Sequence, residues 1–215
     1  TDEVAAASML KGMTVEYLLN RSFKVQNSHR VLFHAAAGGV GLIAGQWLKY
    51  IGAESIGTVG SDDKIKLAKD AGYDHVINYN KSNFVEEVAR ITGGMGVDVA
   101  YDSVGQATYP HTLSCLKKFG LFVSFGQSSG VIKDIAMGDL AKNGSLYAQR
   151  PTLFDFISSK ESLKQVSENM FKMLAEGHVK MHINQRYALK DVPKAFEMLM
   201  ARKTTGATVF DVGSR

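Results

Sequence analysis

The amino-acid sequence predicts an α/β fold with a six-stranded parallel sheet covered by helices on both faces. From Arg30 onward, short runs of β-branched and aromatic residues alternate with amphipathic stretches. Glycines follow several of these stretches, and glycine readily takes the left-handed conformation that ends a helix. The connections between the predicted strands are long enough to hold a helix, as parallel pairing requires. The alternation therefore indicates repeated strand–helix–strand units rather than hairpins.

The elements of this alternation can be placed along the chain. The predicted strands are Val31–His34, Ser55–Val59, His75–Tyr79, Val97–Ser103, Leu121–Phe125 and Ser145–Gln149. The predicted helices between them are Gly41–Ile51, Asp62–Ala71, Asn83–Thr92, Ala107–Lys118 and Ile135–Lys142. The glycines predicted to end helices are Gly52, Gly72, Gly93 and Gly120. Together these elements predict a sheet domain over residues 21–150.

Two further segments lie outside the alternation. Residues 1–20 form a predicted lead-in helix, Val4–Asn20, because apolar residues recur there at helical spacing. Residues 151–215 are predicted to complete the fold, with a helix Phe154–Glu176, an extended segment Lys180–Leu189, a helix Asp191–Arg202 and a strand Ala207–Val212. The sequence begins at Thr1 without methionine, and we therefore expect it to be a fragment of a longer chain.

Composition argues against several classes of function. The formal charge is +4, but the 25 basic and 21 acidic residues are interspersed, which is typical of a solvated surface and not of a nucleic-acid-binding patch. Cys115 is the only cysteine, so an internal disulfide and a thiolate-rich zinc cluster are excluded, and a reducing, cytoplasmic location is expected. The histidines show no metal-ligand spacing, and no apolar run approaches the roughly 20 residues of a membrane span. No metal and no membrane partner are therefore expected.

A loop of small residues between the first predicted strand and its helix indicates a phosphate site. Ala36-x-Gly38-x-x-Gly41 stands where a G-x-G-x-x-G fingerprint would stand, with alanine in the first position. Small residues let the backbone approach a pyrophosphate, and a helix N-terminus supplies amide donors and a partial positive charge. The loop therefore predicts dinucleotide binding, with a tight turn that binds no ligand as the alternative.

The end of the second predicted strand indicates which dinucleotide binds. An acidic residue there would bond the adenosine 2′-hydroxyl, but this sequence has Gly60 and Ser61. Lys64 on the next turn can bond a 2′-phosphate, so NADPH is preferred over NADH. Asp62 and Asp63 must then face away from that phosphate. In the alternative, Asp62 is only a helix N-cap and Lys64 only a surface charge.

Two further segments follow the fourth and fifth predicted strands, at the sheet edge where ligands bind in such folds. They are Asp102-Ser103-Val104-Gly105 and Ser124-Phe125-Gly126-Gln127-Ser128. Ordinary turns are the alternative. His34 is interpreted as a histidine packed at a strand end rather than a general base, and Cys115 as a small core residue within a helix. No catalytic residue is assigned.

With these motifs in hand, the sequence resembles the quinone oxidoreductases, the zinc-free branch of the medium-chain dehydrogenase/reductase superfamily. The resemblance runs from about Ala5 to Val212. The segments that carry it are Lys11-Gly12-Met13-Thr14, Phe33-His34-Ala35-Ala36-Ala37-Gly38-Gly39-Val40-Gly41, Gly57-Thr58-Val59-Gly60, Ile77-Asn78-Tyr79, Tyr101-Asp102-Ser103-Val104-Gly105, Ser124-Phe125-Gly126 and Arg150-Pro151-Thr152-Leu153. It implies a Rossmann-type, doubly wound sheet and hydride transfer from NADPH to a quinone.

The resemblance also implies roles for residues of this chain. Gly39 and Val40 would hold the pyrophosphate. The residues around the 2′-phosphate would be Gly60, Ser61, Lys64 and Tyr79. The residues along the nicotinamide half would be Ser103, Val104, Phe125, Gly126, Gln127 and Ser128, with Tyr17, Leu153 and Arg202 closing over it.

The resemblance implies a barrel-like substrate domain at the start of the complete protein, and this sequence is expected to lack that domain. Lys180–Leu189 and Ala207–Val212 resemble the strands that return to that domain, and little or no activity is expected of the fragment alone. A homodimer through the predicted edge strand Ser145–Gln149 is expected. Two alternatives stay open: an enoyl reductase acting on an activated C=C bond, and a non-enzymatic module that binds a dinucleotide or a nucleic acid.

Overall fold

The computed structural model describes residues 1–213 and contains the predicted six-stranded, all-parallel sheet. Its strands are β1 (Arg30–Phe33), β2 (Glu54–Val59), β3 (His75–Asn78), β4 (Val97–Asp102), β5 (Leu116–Ser124) and β6 (Tyr147–Gln149). Their order is β3-β2-β1-β4-β5-β6. The chain therefore builds outward from β1 in one direction and then from β4 in the other. The carboxyl ends of β1 and β4 flank the switch point where ligands bind in doubly wound sheets.

Helices cover both faces of this sheet. They are α1 (Asp2–Tyr17), α2 (Gly39–Ile51), α3 (Asp63–Asp70), α4 (Phe84–Thr92), α5 (Tyr109–Leu113), α6 (Met137–Lys142), α7 (Leu153–Phe156), α8 (Lys160–Ala175) and α9 (Val192–Met200). Successive side chains of β1 enter opposite cores: Val31 and Phe33 pack with Trp47 and Tyr101, whereas Leu32 packs with Ile56 and Phe122. Burial on both faces explains why the central strands are apolar at consecutive positions.

Several predicted helix ends are confirmed. Gly52 and Gly93 are left-handed C-caps of α2 and α4, and Gly72, with φ of +102°, directly follows the end of α3. Gly120 was predicted wrongly, because it lies inside β5 and does not have a positive φ.

The predicted helix Ala107–Lys118 is wrong over most of its length. Only Tyr109–Leu113 is helical, Cys115 lies in the following turn, and the chain is a strand from Leu116 onward. Leu116 pairs with Val97 of β4, and the register then shifts so that Leu121 pairs with Val99. Strand pairing overrides the amphipathic pattern that indicated a helix.

The predicted single helix Phe154–Glu176 is also wrong, because two helices occupy this range. The α7 helix ends at Phe156, and Ser159 caps the start of α8 by accepting a hydrogen bond from the Ser162 amide. Ser162 Oγ completes a capping box by accepting a hydrogen bond from the backbone amide of Ser159. A local side-chain to backbone interaction thus divides the segment.

The C-terminal extended segments form a second sheet of two parallel strands, β7 (Ile183–Ala188) and β8 (Ala207–Asp211). The predicted helix Asp191–Arg202 begins with a 3₁₀ turn, Leu189–Asp191, and its α-helical part ends at Met200. Within residues 1–213, no helix is long and apolar enough to cross a membrane.

Candidate functional site

The loop between β1 and α2 has the geometry of an anion-binding helix start. Gly38 is the N-cap of α2, and no side chain caps this helix end. Ala35 has φ of +57°, and its carbonyl oxygen accepts a hydrogen bond from the Gly38 amide at 2.9 Å. A Cβ on Gly41 would lie 2.4 Å from the Ala35 carbonyl oxygen, so glycine is required there. The first turn of α2 therefore presents its partial positive charge without a competing side chain.

A residue distant in sequence also packs on this loop. Gly206 forms an isolated parallel bridge with Gly38, and its amide donates to the Ala37 carbonyl oxygen at 3.1 Å. The side chain of Lys11 also packs on this loop, at Gly39. Its Cε lies 2.6 Å from the position that a Cβ on Gly39 would take. Sequence reasoning missed both contacts, because no local signal links residues so far apart.

A cleft of about 430 Å³ opens beside this loop at the carboxyl edge of the sheet. Seven of the predicted cofactor-binding residues line it: Gly38, Gly60, Lys64, Tyr79, Val104, Ser128 and Arg202. The lining residues that sequence reasoning missed are Ala35, Ala37, Val59, Leu199, Met200 and Thr204. Leu199 and Met200 are 56% and 81% exposed at the end of α9. Because this exposure is visible only in the structure, no sequence signal marked these two residues.

One end of the cleft holds the residues predicted for a 2′-phosphate. The Lys64 ammonium donates to the Arg202 carbonyl oxygen at 2.8 Å, which joins α3 to the end of α9. A Cβ on Gly60 would lie 2.6 Å from the Tyr79 hydroxyl oxygen, so glycine leaves room for that ring. Gly60, which has no side chain, and Lys64, which carries a positive charge, therefore line the same cleft.

The acidic neighbour of Lys64 is held elsewhere. Asp62 stands at the N-cap position of α3 but makes no capping hydrogen bond. Its carboxylate accepts hydrogen bonds from Lys81 and Asn78, which lower the pKa of Asp62. The carboxylate is therefore already paired, and the interpretation of Asp62 as a helix cap by its side chain is wrong.

The loops predicted for the nicotinamide half are joined to each other. The Ser128 amide donates to the Ser103 carbonyl oxygen at 3.1 Å, and a Cβ on Gly126 would lie 2.9 Å from the Ser103 Cα. Gly105, with φ of +93°, packs against the Gly130 carbonyl oxygen. Backbone packing thus sets the spacing of these two loops.

A second cavity of about 280 Å³ adjoins these loops. Predicted residues Gly126 and Gln127 line it, together with Ser124, Arg150 and apolar side chains such as Ile132. This cavity lies between the end of β5, the edge strand β6 and the segment that follows the loop.

The remaining predicted residues lie around the cavities or in the core. Ala36 is buried. The first residues of α2 are Gly39, Val40 and Gly41. Among the described residues, four predicted ones line neither cavity: Ser61, Ser103, Gly105 and Phe125. Tyr17 and Leu153 do not line them either: both are buried in the main core. Tyr17 stacks on Phe156 with ring centroids 4.6 Å apart, and burial raises the pKa of Tyr17 to about 12.

Comparison with known proteins identifies the family. Residues 39–175 match the zinc-binding dehydrogenase family. The family description names zinc, and residues 1–213 hold no group of three or more histidine, cysteine, aspartate or glutamate side chains that could bind a metal ion.

The chain is 50% identical over 209 residues to the quinone oxidoreductase of Salmonella typhimurium. The aligned region covers 96% of this chain and 64% of that protein. It is 38% identical over 205 residues to a 2-haloacrylate reductase of Burkholderia, covering 95% of this chain and 62% of that protein. The crystal structure of Escherichia coli quinone oxidoreductase complexed with NADPH superimposes with a TM-score of 0.95 at 46% identity, covering 98% of this chain and 65% of that chain. The chain thus spans less than two thirds of the length of these relatives. It belongs to the zinc-binding dehydrogenase family of the medium-chain dehydrogenase/reductase superfamily, and it is a homologue of the quinone oxidoreductases within that family.

Proposed function

We propose that this chain binds NADPH in the 430 Å³ cleft and serves the reduction of a quinone. The observation that carries the proposal is the meeting of three features at one cleft. They are the start of α2 without a side-chain cap, the side-chain-free Gly60 and the ammonium of Lys64. A pyrophosphate suits the first feature, and a 2′-phosphate suits the other two. The relative crystallised with NADPH supports this choice of nucleotide.

In this proposal the chain itself binds and orients the nucleotide. NADPH, when bound, supplies a hydride to the acceptor. The backbone from Gly38 to Gly41 holds the pyrophosphate, and Lys64 and Tyr79 hold the 2′-phosphate. The joined loops at Ser103–Gly105 and Gly126–Ser128 orient the nicotinamide, and α9 shields the cleft from water. No residue is assigned to proton transfer.

A reductase of activated C=C bonds is the second candidate, and the 38% identity to a 2-haloacrylate reductase favours it. An acrylate is a conjugated C=C acceptor, so hydride transfer would begin from the same cofactor site. Little or no activity is expected of this chain alone, so NADPH oxidation is measured in parallel with a benzoquinone and with 2-chloroacrylate on a protein that carries this chain at the full length of its relatives. Turnover of the quinone alone supports the proposal, and turnover of the acrylate alone replaces it.

Nucleotide binding is tested first, by titrating the chain with NADPH and following the reduced nicotinamide fluorescence. A parallel filter-binding assay with RNA addresses the non-enzymatic alternative. Saturable NADPH binding without RNA retention is expected. Salt-sensitive RNA retention without NADPH binding contradicts the proposal.

We also propose a homodimer through the edge of the large sheet. The β6 strand ends the strand order, and Tyr147 on it is 63% exposed. An exposed strand edge with an aromatic side chain favours pairing with a twofold-related copy. Tyr147→Lys should shift the mass measured by light scattering toward the monomer, and an unchanged mass places any dimer contact elsewhere. The cytoplasmic location stays a prediction.

A further inference from the structure

Beneath the cleft, five buried residues form a hydrogen-bonded network, linked at one point through the backbone carbonyl oxygen of Thr108, that the proposed function does not use. They are Thr58, His34, Thr112, Thr108 and Asp102. All except Thr108, which is 7% exposed, are fully buried. A buried polar group that has no hydrogen-bond partner costs desolvation free energy, so each member of a buried network is held to its partners. Its members are therefore expected to hold fixed positions.

The hydrogen bonds of the network assign its proton positions. Thr112 Oγ1 donates its single proton to the Thr108 carbonyl oxygen at 2.8 Å, so it accepts from His34 Nε2 at 2.9 Å. His34 Nδ1 then accepts from Thr58 Oγ1 at 2.9 Å. Burial lowers the pKa of His34, although the Asp102 carboxylate acts in the opposite direction. The ring is thus neutral, with its proton on Nε2.

The network continues to the loop that follows β4. Thr108 Oγ1 donates to Asp102 Oδ2 at 2.6 Å. Asp102 Oδ1 accepts the backbone amides of Val104 at 2.6 Å and of Gly105 at 3.0 Å. Because Asp102 is buried, these bonds set the direction in which residues 103–105 leave the sheet.

The two ends of the network lie in the two halves of the cleft. Thr58 directly precedes Val59 and Gly60, and its carbonyl oxygen accepts the Ala36 amide of the phosphate loop at 2.9 Å. Val104, at the other end, lines the cleft on the side of the predicted nicotinamide. His34 stands between them at the end of β1, next to the switch point of the sheet.

We propose that His34 is a positioning residue that ties the adenosine half of the nucleotide site to the loop at Val104 and Gly105, and so sets the spacing of the two halves. This inference rests on the proposed NADPH binding. Its imidazole is fully buried, so it acts through Thr58 and Thr112 and does not touch substrate. Loss of one link should impair binding of the whole dinucleotide more than binding of its adenosine half.

The experiment compares two ligands and two matched variants. Thr112→Val leaves His34 Nε2–H without an acceptor, whereas Thr112→Ser keeps the hydroxyl. For Thr112→Val, the Kd of NADPH should rise about tenfold, because binding of the nicotinamide half must then restore the position of the released loop at Val104 and Gly105, at a cost of the order of one hydrogen bond. The Kd of adenosine 2′,5′-bisphosphate should change less than about twofold, because the adenosine half of the site keeps its contacts. Thr112→Ser should restore native affinity for both ligands.

The possible results separate this inference from the proposed function. An equal loss for both ligands, or no loss for NADPH, overturns the positioning role while NADPH binding stands. Failure of the native chain to bind either ligand overturns both. If Thr112→Val does not fold, Thr58→Val with Thr58→Ser as its control tests the other link of His34.

A measurement on the native chain needs no variant. In nitrogen-15 spectra of the His34 ring at neutral pH, Nε2 should be protonated and Nδ1 should not, because burial lowers the pKa of His34. A proton on Nδ1 shows that the hydrogen bonds run differently and overturns the inference.

Discussion

Substitution of Lys64 by alanine should separate NADPH from NADH. The Lys64 ammonium lies in the cleft beside Gly60 and Tyr79, and its only described partner is the Arg202 carbonyl oxygen at 2.8 Å. Arg202 is exposed, so water can replace the ammonium there at little cost. The main loss in Lys64→Ala is therefore the charge-assisted hydrogen bond to a 2′-phosphate.

The size of the effect follows from this environment. A hydrogen bond to a charged group contributes about 1.5–3 kcal/mol, and the lower value applies because Lys64 is only partly buried. A loss of about 1.5 kcal/mol corresponds to a rise of roughly tenfold in the Kd of NADPH. The Kd of NADH, which has no 2′-phosphate, should change less than about twofold. The difference should shrink at high ionic strength, because exposed charges are screened.

Fluorescence titration with each nucleotide measures these constants. Lys66→Ala is the matched control, because Lys66 lies on the same helix with its side chain 82% exposed and paired with Asp70. It should leave both constants unchanged. Equal losses for NADPH and NADH in Lys64→Ala would remove Lys64 from the 2′-phosphate site and refute the basis of the nucleotide preference.

Three further predictions concern packing and ionisation. Gly60→Ala places a Cβ 2.6 Å from the Tyr79 hydroxyl oxygen and should weaken NADPH binding about fivefold, and by less when made in a Tyr79→Phe background; an equal loss in both backgrounds contradicts the contact. Gly41→Ala should lower the free energy of unfolding in urea by about 1–3 kcal/mol, because its Cβ would meet backbone oxygen. The control Gly138→Ala, with nothing within 4 Å, should be neutral or stabilising, and equal losses would refute the steric argument. Burial raises the pKa of the Cys115 thiol from 9.0 to about 12, so the free energy of unfolding should fall as the pH rises above about 9. At pH 8, Ellman's reagent should react with this thiol only as the chain unfolds, and rapid reaction of the native chain would contradict the burial argument.

Features that depend on local chemistry could be predicted from the sequence. The pattern of short apolar runs and amphipathic stretches indicated all six strands of the large sheet. For the central strands the reason is burial on both faces, which requires apolar side chains at consecutive positions, whereas the edge strand β6 is largely exposed. The loop Ala36–Gly41 was recognisable because close backbone packing tolerates only small residues. Gly52 and Gly93 marked helix ends for a related reason, namely their left-handed conformation.

Predictions failed where a distant partner decides the local structure. Leu116 and its neighbours look like the end of a helix, but pairing with Val97 makes them a strand. The alternative interpretation of Asp62 as a helix cap failed for the same reason, because its carboxylate accepts hydrogen bonds from Lys81 and Asn78. In both cases the competing contact comes from another element, so no window of sequence contains it.

The sequence by itself determined the fold class and the small-residue backbone of the loop Ala36–Gly41, since both follow from residue size and hydrophobic periodicity. The tertiary structure decided which residues share the cleft. Arg202 reaches Lys64 and Gly206 reaches Gly38 only because the chain returns to the sheet after α8 and α9. Tyr17, in contrast, stacks on Phe156 within the core. Such contacts depend on how the elements pack against one another, and that packing is a property of the whole chain.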